Sequence, residues 1–388
     1  MFDYDRLLSK TAQQIKPSGI RKFFDLIGGR KDLIALTVGQ PDFVTPWHIR
    51  VSAIESLEQG RTYYTSNSGT TELRTEIAAY MERRFGLVYA PENEIIVTVG
   101  GSEAIDLAMR AVLNPGDEVI VPQPSYVCYA PVTSLAGGVP VILETKEKDR
   151  FKLTLEDLKA AVTPKTKLLV LPYPNNPTGA IMTEEDLEPI ADFLRDTDIM
   201  VLSDEIYCEL TYGRNHVSIA SLPGMRERTI IASGFSKSYA MTGWRLGYTL
   251  APAEITRQML KIHQYAIMCA PTASQFAAVE AMRNGDDDVA EMRAEYNRRR
   301  RYLVGGLQDM GVDCFHPEGA FYVWPNISRF SMPSEVFCRR LMEEAGVVIV
   351  PGTAFGDCGE GFARISYAYS VEHIAQALDR IEKFIGTL

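Results

Sequence analysis

Seven short apolar runs constrain the fold of this chain more than any other feature of its sequence. They lie between residues 94 and 251, and patterns typical of helices separate several of them. The runs are EIIVTV, EVIVP, VPVIL, KLLVLP, IMVLSD, TIIAS and GYTLA. Because their hydrophobicity is continuous rather than alternating, they predict strands that are buried on both faces.

Helix start signals between these strands support the same architecture. The segments 154–157 and 183–186 both have the threonine-to-aspartate spacing of a capping box. Strands that alternate with capped helices predict an α/β domain with a mainly parallel sheet. The last strand is an exception, because only 13 residues separate Ser233 from Gly247 and they contain no clear crossover helix. We therefore expect this strand to run antiparallel to its neighbour.

The sequence changes character after residue 284. A long charged helical segment, near 289–307, leads to GAFYVWP, and the runs GVVIVPG and GFARISYA follow a second helix. We expect a smaller α+β domain here, which the first 45 residues join. The predicted boundaries are 46–284 for the large domain, and 1–45 with 285–388 for the small domain.

Composition excludes several classes of function. The net charge of −10 argues against nucleic acids and anionic membranes as partners. We interpret the four consecutive arginines at 298–301 as part of a solvated helix face of mixed charge. The six scattered cysteines form no C-x-x-C pair, so they predict neither a metal site nor a disulfide framework. Reduced thiols, a charged N-terminus and the lack of a long apolar run favour a cytoplasmic protein.

The stretch SGFSKSYAMTGWRLGY places Lys237 and Arg245 among small and apolar residues. Lysine and arginine are rarely buried unless they are paired, so both side chains need a partner. Glycine or polar residues follow four of the predicted strands, in GGSEA, YPNNPTG, DEIY and GFSK. Ligands of open α/β sheets bind outside the carboxyl ends of the strands, so one crevice can gather all four segments.

The first of these segments predicts an anion site. The amides at the start of the helix that includes Ser102 are suited to phosphate, although an ordinary strand-to-helix turn has the same sequence pattern. The segment lacks a P-loop lysine and a full G-x-G-x-x-G, which argues against a nucleotide. Arg245 can clamp the same phosphate in bidentate fashion. Lys237, desolvated beside another cation, can act as a nucleophile that forms a Schiff base with a carbonyl.

The other segments add the groups that one cofactor needs. Asp204 ends a buried strand and needs a cationic partner, while Asn176 and Tyr207 can both bond to one oxygen. Tyr126 can stack on an aromatic ring. A phosphate, an aldehyde, a phenolic oxygen, a pyridinium nitrogen and an aromatic face together describe pyridoxal 5′-phosphate.

Each of these residues taken singly has a simpler interpretation. Tyr126 can be a core aromatic, and Asp204 can be only the N-cap of a helix. Asn176 can serve the turn that NPTG makes. Arg364, a further candidate in the later segment RISYA, can form a salt bridge at a strand edge. The joint pattern favours the cofactor site.

Together these motifs make the sequence resemble the class I and II aminotransferases of fold type I, in the aspartate/aromatic group. SGFSKSYAMTGWRLG, YPNNPTG, SDEIY, GQPDF, GAFYVWP and RISYA are similar to the family's motifs, and the resemblance covers nearly the whole chain. It implies the fold of a fold type I pyridoxal-phosphate-dependent transferase. That fold is α/β, with a mainly parallel seven-stranded sheet sandwiched by helices and a smaller α+β domain.

The resemblance also implies roles for individual residues. Lys237 would form the Schiff base and act in catalysis with Asp204, on the pyridine nitrogen, and Tyr207. The implied cofactor-binding residues are Gly101, Ser102, Glu103, Tyr126, Asn176, Asp204, Tyr207, Ser236, Lys237, Arg245 and Tyr64. The implied substrate-binding residues are Gly39, Asn176, Arg364, Ser18 and Arg110. Tyr64 resembles a tyrosine that reaches the phosphate of the neighbouring subunit, which implies a homodimer with shared active sites.

The resemblance leaves the substrate open. Arg110 resembles a position that binds a distal carboxylate, but it can equally pair with Asp106 or be a surface arginine. The nearest resemblances are aromatic and N-acetyl-L,L-diaminopimelate aminotransferases, with 2-oxoglutarate as the common co-substrate and ping-pong kinetics. A C–S β-lyase uses the same fold and lysine. A ligand-sensing module of a transcription regulator would need a DNA-binding domain, for which we expect no room before Ser18.

Overall fold

The computed structural model describes residues 2, 4–20 and 32–388. The strands are β1 (Ile34–Ala35), β2 (Ile95–Thr98), β3 (Glu118–Gln123), β4 (Val139–Glu144), β5 (Thr166–Leu171), β6 (Met200–Asp204), β7 (Thr229–Gly234), β8 (Gly247–Leu250), β9 (Tyr322–Val323), β10 (Val347–Val348), β11 (Val350–Pro351) and β12 (Ala363–Ser366). The helices are α1 (Tyr4–Leu7), α2 (Lys10–Gln14), α3 (Trp47–Glu58), α4 (Thr71–Phe85), α5 (Gly101–Val112), α6 (Tyr129–Leu135), α7 (Leu155–Ala161), α8 (Glu184–Arg195), α9 (Ala253–Ala266), α10 (Thr272–Asn284), α11 (Asp286–Asp309), α12 (Ser334–Ala345) and α13 (Val371–Ile385).

The central sheet has seven strands in the order β2-β8-β7-β6-β5-β3-β4. Strand β8 runs antiparallel to both β2 and β7, and the other neighbours are parallel. All seven predicted apolar runs contain strands of this sheet, and the predicted direction of the last strand is confirmed. The fold class is therefore the one that the sequence predicts.

The two faces of the sheet pack against different helices. On β5, Leu168 and Val170 belong to a core cluster with residues of α5 and α9. Their neighbours Leu169 and Leu171 belong to a second cluster, with residues of α7 and α8. Successive strand residues point to opposite faces, so burial on both faces requires the continuous hydrophobicity seen in the sequence.

The predicted helix starts are confirmed by the caps of α7 and α8. The Thr154 side chain accepts a hydrogen bond from the backbone of Asp157. Thr183 and Asp186 make the full reciprocal capping box at the start of α8. These bonds satisfy amide groups that have no partner within the first turn of a helix, which is why the sequence spacing locates both starts.

A further core cluster forms around the C-terminal part of the chain. Strand β1 pairs in parallel with β10, and β12 lies between β11 and β9 in a small antiparallel sheet. Ile34 and Leu36 pack in the same cluster as side chains of α11, α12 and α13. The boundaries between two domains at residues 46 and 284 stay a prediction.

The interpretation of the four arginines on α11 as a solvated face is wrong for two of them. Arg299 is buried, and its Nη1 donates to both carboxylate oxygens of Asp42, at 2.8 and 2.9 Å. Arg300 is also buried and donates to the backbone oxygen of Pro317 at 2.6 Å. Four consecutive residues cover every side of a helix, so part of such a run must face the core.

All six cysteines are unpaired. In the described part of the chain, no group of histidine, cysteine, aspartate or glutamate side chains could hold a metal ion. Within residues 4–20 and 32–388, no helix combines the length and the hydrophobicity needed to cross a bilayer.

Gly247, at the start of β8, allows the sheet to approach the β2–α5 turn closely. A Cβ atom on Gly247 would lie 2.6 Å from the carbonyl carbon of Gly100 and 2.8 Å from the nitrogen of Gly101. We expect Gly247→Ala to lower the free energy of unfolding by about 1–3 kcal/mol, because backbone must move to admit the methyl group. Gly243→Ala is the control, since its Cβ would meet nothing within 4 Å. Equal denaturation midpoints for both variants would contradict the packing argument.

Candidate active site

A cavity of about 370 Å³ opens at the carboxyl ends of the central strands. Pro172 follows β5 directly, Asp204 ends β6, and Ser236 comes two residues after β7. All three line the cavity. The structure therefore brings together the segments that the sequence predicts at this edge of the sheet.

Most of the predicted site residues line this cavity. They are Gly39, Gly101, Ser102, Tyr126, Asn176, Asp204, Tyr207, Ser236, Lys237, Arg245 and Arg364. The predicted residues outside its lining are Ser18, Tyr64, Glu103 and Arg110.

Lys237 is a cation whose pKa is strongly lowered. Its Nζ donates a hydrogen bond of 2.6 Å to the backbone oxygen of Gly39. Burial, together with the positive charges of Arg364 and Arg245, lowers the pKa of Lys237 to about 8, against an opposing contribution from Asp204. A substantial fraction of the amine is therefore neutral near pH 8, as a nucleophile or a base requires.

Asp204 is a buried carboxyl group at the end of β6. Its Oδ2 accepts a hydrogen bond of 2.7 Å from the Tyr129 hydroxyl, and its Oδ1 accepts one of 3.2 Å from the backbone of Ile206. Burial raises the pKa of Asp204. Sequence reasoning missed Tyr129, although it comes only three residues after Tyr126 in PSYVCY and that spacing was a usable signal.

Arg364, on β12, is a fully buried guanidinium that is held without a carboxylate. Its Nη1 donates to Asn176 Oδ1 at 2.9 Å and its Nη2 to the backbone oxygen of Thr37 at 2.6 Å. The rings of Tyr322 and Phe355 lie 4.5 and 4.8 Å from its Cζ. Burial lowers the pKa of Arg364, and its Nε has no hydrogen-bond partner among the described residues. Such a site is arranged to bind an anion.

A second anion site lies where α5 begins. The N-cap of this helix is Gly100, with φ 79° and no capping side chain. Arg245 approaches so closely that a Cβ on Gly100 would meet its Nη2 at 2.8 Å. Arg245 Nη1 donates to the backbone oxygen of Thr242 at 3.0 Å. The backbone of Arg245 itself has φ 53°. Free helix amides and a guanidinium together suit a phosphate group.

Two tyrosines close the wall between these sites. The hydroxyl groups of Tyr207 and Tyr322 lie 2.9 Å apart, and burial raises the pKa of both. A Cβ on Gly39 would meet the Tyr322 hydroxyl at 2.5 Å, so only glycine fits that approach. Tyr322 belongs to the motif GAFYVWP, but the sequence alone gives it no role. Tyr126 lines the cavity edge-on to Tyr129, with ring centroids 6.1 Å apart.

Two predicted residues lie away from the cavity of their own chain. Tyr64 is 78% exposed. Ser18 is exposed as well, and Ile20 of the same segment lines the cavity instead. The geometry of a single chain therefore gives neither residue a contact with the site.

The placement of Arg110 favours the alternative interpretation over the predicted role in binding a distal carboxylate, which stays a prediction. Its Nε donates to Asp106 Oδ2 at 2.7 Å, an i,i+4 pair on the surface of α5. Ser102 lines the cavity at the start of the same helix, eight residues earlier. A rise of about 1.5 Å per residue puts Arg110 about 12 Å further along the axis. The alternative interpretation of an i,i+4 pair is the observed one.

The placement of Glu103 also requires a correction. Its carboxylate does not point into the cavity but folds back on the chain. One oxygen accepts a hydrogen bond from the backbone of Val99, and the other lies 2.6 Å from His263 Nδ1. The Glu103 carboxylate is therefore turned away from the cavity, while its backbone amide remains one of the first-turn amides of α5.

Comparisons with known proteins agree with this geometry. The sequence matches the family described as "Aminotransferase class I and II" over residues 31–381. It is 52% identical to the "Putative aminotransferase YugH" of Bacillus subtilis, over 97% of this chain and 98% of that protein. It is 47% identical to the "Probable N-acetyl-LL-diaminopimelate aminotransferase" of the same organism, over 98% and 96%. The crystal structure of an aromatic aminotransferase from Pyrococcus horikoshii OT3 is 43% identical, with a TM-score of 0.90, over 95% and 99% of the two chains.

The chain belongs to the aminotransferase class I and II family. Members of this family use pyridoxal phosphate, and the protein is a pyridoxal-phosphate-dependent aminotransferase. The cavity fits that cofactor on its own evidence. Within the described residues, Lys237, Arg245 and Arg364 face the cavity without a carboxylate at ion-pair distance, while Asp204 offers one buried acid. A phosphate, a carbonyl and a protonated ring nitrogen match these groups.

The lowered pKa of Lys237 predicts its reactivity in the cofactor-free protein. Only a neutral amine reacts with an acylating reagent, so we expect the labelling rate of Lys237 to reach half its maximum near pH 8. Mass spectrometry of the labelled peptides measures this rate, with the exposed Lys165 as an internal yardstick. Arg245→Gln removes a positive charge and should move the midpoint upwards. A midpoint above pH 10 in the unmodified protein would contradict the argument.

Proposed function

We propose that this aminotransferase moves the amino group of an L-amino acid to 2-oxoglutarate by a ping-pong mechanism. The proposed donors are acidic, aromatic or of the N-acetyl-diaminopimelate type. One observation carries the proposal: a buried lysine with a lowered pKa lies in one cavity with a buried acid and two guanidinium groups. A site that receives an amine and releases a keto acid needs these four charges.

The residues of the cavity would hold the cofactor as follows. Lys237 would bond its aldehyde carbon, Asp204 would meet its ring nitrogen, and Tyr126 would cover its ring. Asn176 and Tyr207 would bond its phenolic oxygen. The phosphate ligands would be Gly101, Ser102, Ser236 and Arg245. When bound, the cofactor supplies an electron sink for the electrons of the substrate Cα–H bond.

Lys237 is proposed to move the proton. Because the pKa of Lys237 is near 8, its neutral amine can take a proton from the substrate Cα. It would then deliver that proton to the cofactor carbon that is bonded to the transferred nitrogen. The backbone oxygen of Gly39, 2.6 Å from Nζ, would hold the amine in place between these events. Asp204 would keep the ring nitrogen protonated, and Tyr129 would orient its carboxylate.

Arg364 is proposed to bind the α-carboxylate of the substrate. Its two bonds to Asn176 and Thr37 fix the guanidinium plane, and Tyr322 and Phe355 pack on it. A fixed plane presents a fork that matches a carboxylate, so the same contact would serve the amino acid and the keto acid. This shared contact supports the ping-pong proposal, in which both substrates use one site in turn.

The walls of the cavity favour the less polar end of the proposed donor range. Ile20, Val38, Ile105, Tyr126 and Tyr322 line it. Among the described residues, its only lysine or arginine side chains are Lys237, Arg245 and Arg364. A donor with an aromatic or extended apolar portion would bury that portion here at about 25 cal/mol per Å². The names of two relatives, an aromatic and an N-acetyl-LL-diaminopimelate aminotransferase, agree with this range.

The proposed assembly is a homodimer in which Tyr64 reaches the phosphate of the partner. In the single chain Tyr64 is 78% exposed, and its neighbour Tyr63 is 65% exposed. The Thr272 hydroxyl donates to the backbone oxygen of Tyr63 at 2.7 Å. Asn67 Nδ2 donates to the backbone oxygen of the 44% exposed Met268 at 2.8 Å, and the two bonds anchor this segment. Exposed aromatic and apolar side chains on an anchored segment are typical of an interface.

A donor panel tests the proposed function. Phenylalanine, aspartate and N-acetyl-diaminopimelate are each incubated with 2-oxoglutarate, and we expect keto acid and glutamate in equal amounts without free ammonia. Lys237→Ala should lower kcat by at least about 10³-fold, because it removes both the nucleophile and the base. Lys165→Ala, at an exposed lysine directly before β5, is the matched control and should leave kcat unchanged. Release of thiol and ammonia from cysteine conjugates without glutamate would instead indicate the C–S β-lyase.

A further inference from the structure

A buried acid–base pair lies directly behind the cavity, at the first turn of α5. His263, on α9, is fully buried, and its Nδ1 lies 2.6 Å from Glu103 Oε1. Neither residue lines the cavity. Neither has a part in the chemistry described above. Their contact joins α9 to α5, the helix whose first turn forms the anion site.

The pair controls the backbone that enters α5. The second oxygen of Glu103 accepts a hydrogen bond from the backbone of Val99, the residue before the Gly100 N-cap. The Thr98 hydroxyl donates to the backbone oxygen of Gly100 at 3.0 Å from the other side. Gly100 has φ 79°. Glycine adopts positive and negative φ about equally readily, so its neighbours must hold it in this conformation. Glu103 therefore ties down the turn that presents the helix amides to the cavity.

His263 in turn fixes Glu103. Its Nε2 is buried and has no hydrogen-bond partner among the described residues, so its hydrogen bonding there is directed to Glu103 alone. Without the imidazole, one carboxylate oxygen would lose its partner in a nearly buried position, where an unmet hydrogen bond is costly. The side chain would then gain from rotating away from Val99.

We propose that Glu103 and His263 are a positioning pair that holds the Val99–Ser102 turn in the geometry that binds the cofactor phosphate. The inference rests on the proposed cofactor site and deepens it, since it names residues that act on the phosphate only through the backbone. In this proposal the carboxylate of Glu103 acts indirectly, by holding the turn. We expect the pair to act mainly on the phosphate end of the cofactor, because the proposed ring contacts, Asp204 and Tyr126, come from other elements.

Binding affinities of two cofactor forms test this proposal without measuring turnover. Cofactor-free protein is titrated with pyridoxal 5′-phosphate and, separately, with pyridoxal, which lacks the phosphate, and binding is followed by absorbance. We expect Glu103→Ala and His263→Ala each to weaken pyridoxal 5′-phosphate binding at least about tenfold, and pyridoxal binding less than about twofold. A loss of about tenfold corresponds to about 1.4 kcal/mol. The double variant should lose little more than either single one, because the two residues act as a unit.

A conservative variant and a control variant complete the test. Glu103→Gln retains an acceptor for the Val99 amide and should bind pyridoxal 5′-phosphate within about threefold of the unmodified protein. His48→Ala is the matched control, because His48 Nδ1 lies 2.6 Å from Glu280 Oε1 in a pair that does not involve the cavity. It should change neither affinity, whatever it does to stability.

The outcomes separate this inference from the proposed function. Equal losses for pyridoxal 5′-phosphate and pyridoxal would overturn the positioning role, as would unaltered affinities in Glu103→Ala and His263→Ala. If Glu103→Gln does not fold, the pair is a structural element of the core and the inference is equally wrong. Failure of the unmodified protein to bind pyridoxal 5′-phosphate would instead overturn the proposed cofactor site itself.

Discussion

Uncompensated positive charge at the carboxyl ends of the central strands is the constraint on which the rest of this structure depends. Lys237, Arg245 and Arg364 face one cavity, and in the described part of the chain no carboxylate pairs with any of them. Burial of such charges is costly, so the fold must hold them by other means. Backbone oxygens, the Asn176 amide and aromatic rings do this, and they leave the charges available to anions.

The sheet topology explains how these cations meet. The antiparallel strand β8 brings the segment after β7 straight back along the same edge, so that Lys237 and Arg245 remain close to one end of the sheet. Gly100 and Gly247 let this segment approach the start of α5, where the helix amides lie. Arg364 arrives from β12 in the C-terminal part of the chain. The site is thus a product of the crossing of several elements rather than of one motif.

The fold was largely predictable because it depends on a repeated local signal. Seven continuous apolar runs can bury both faces only within a helix-covered sheet, and the capping residues locate helix starts. The residues that line the cavity were predictable for a related reason, since they follow strand ends in motifs that occur along the chain. Arg110 lies more than two turns beyond Ser102, which favours its surface pair with Asp106 over a contact with the cavity.

Other side chains depend on partners that are remote in the sequence. Glu103 has the position of a phosphate ligand, but His263, 160 residues later, turns its carboxylate away. Arg299 resembles a solvated charge in the sequence, but Asp42, 257 residues earlier, accepts two of its hydrogen bonds. Local pattern gives the type of residue and its element, whereas these pairings depend on packing between elements. Tyr129 and Tyr322 belong to the same category, because only the folded cavity shows what their hydroxyl groups bond.

The central claim is that one lysine, Lys237, holds the cofactor within this set of cations. The most direct measurement is reduction of the cofactor-loaded protein with borohydride, followed by mass spectrometry of its peptides. The account predicts that the reduced cofactor is attached to the peptide that contains Lys237 and to no other. Attachment to a different lysine, or its absence after loading with pyridoxal 5′-phosphate, would contradict the account.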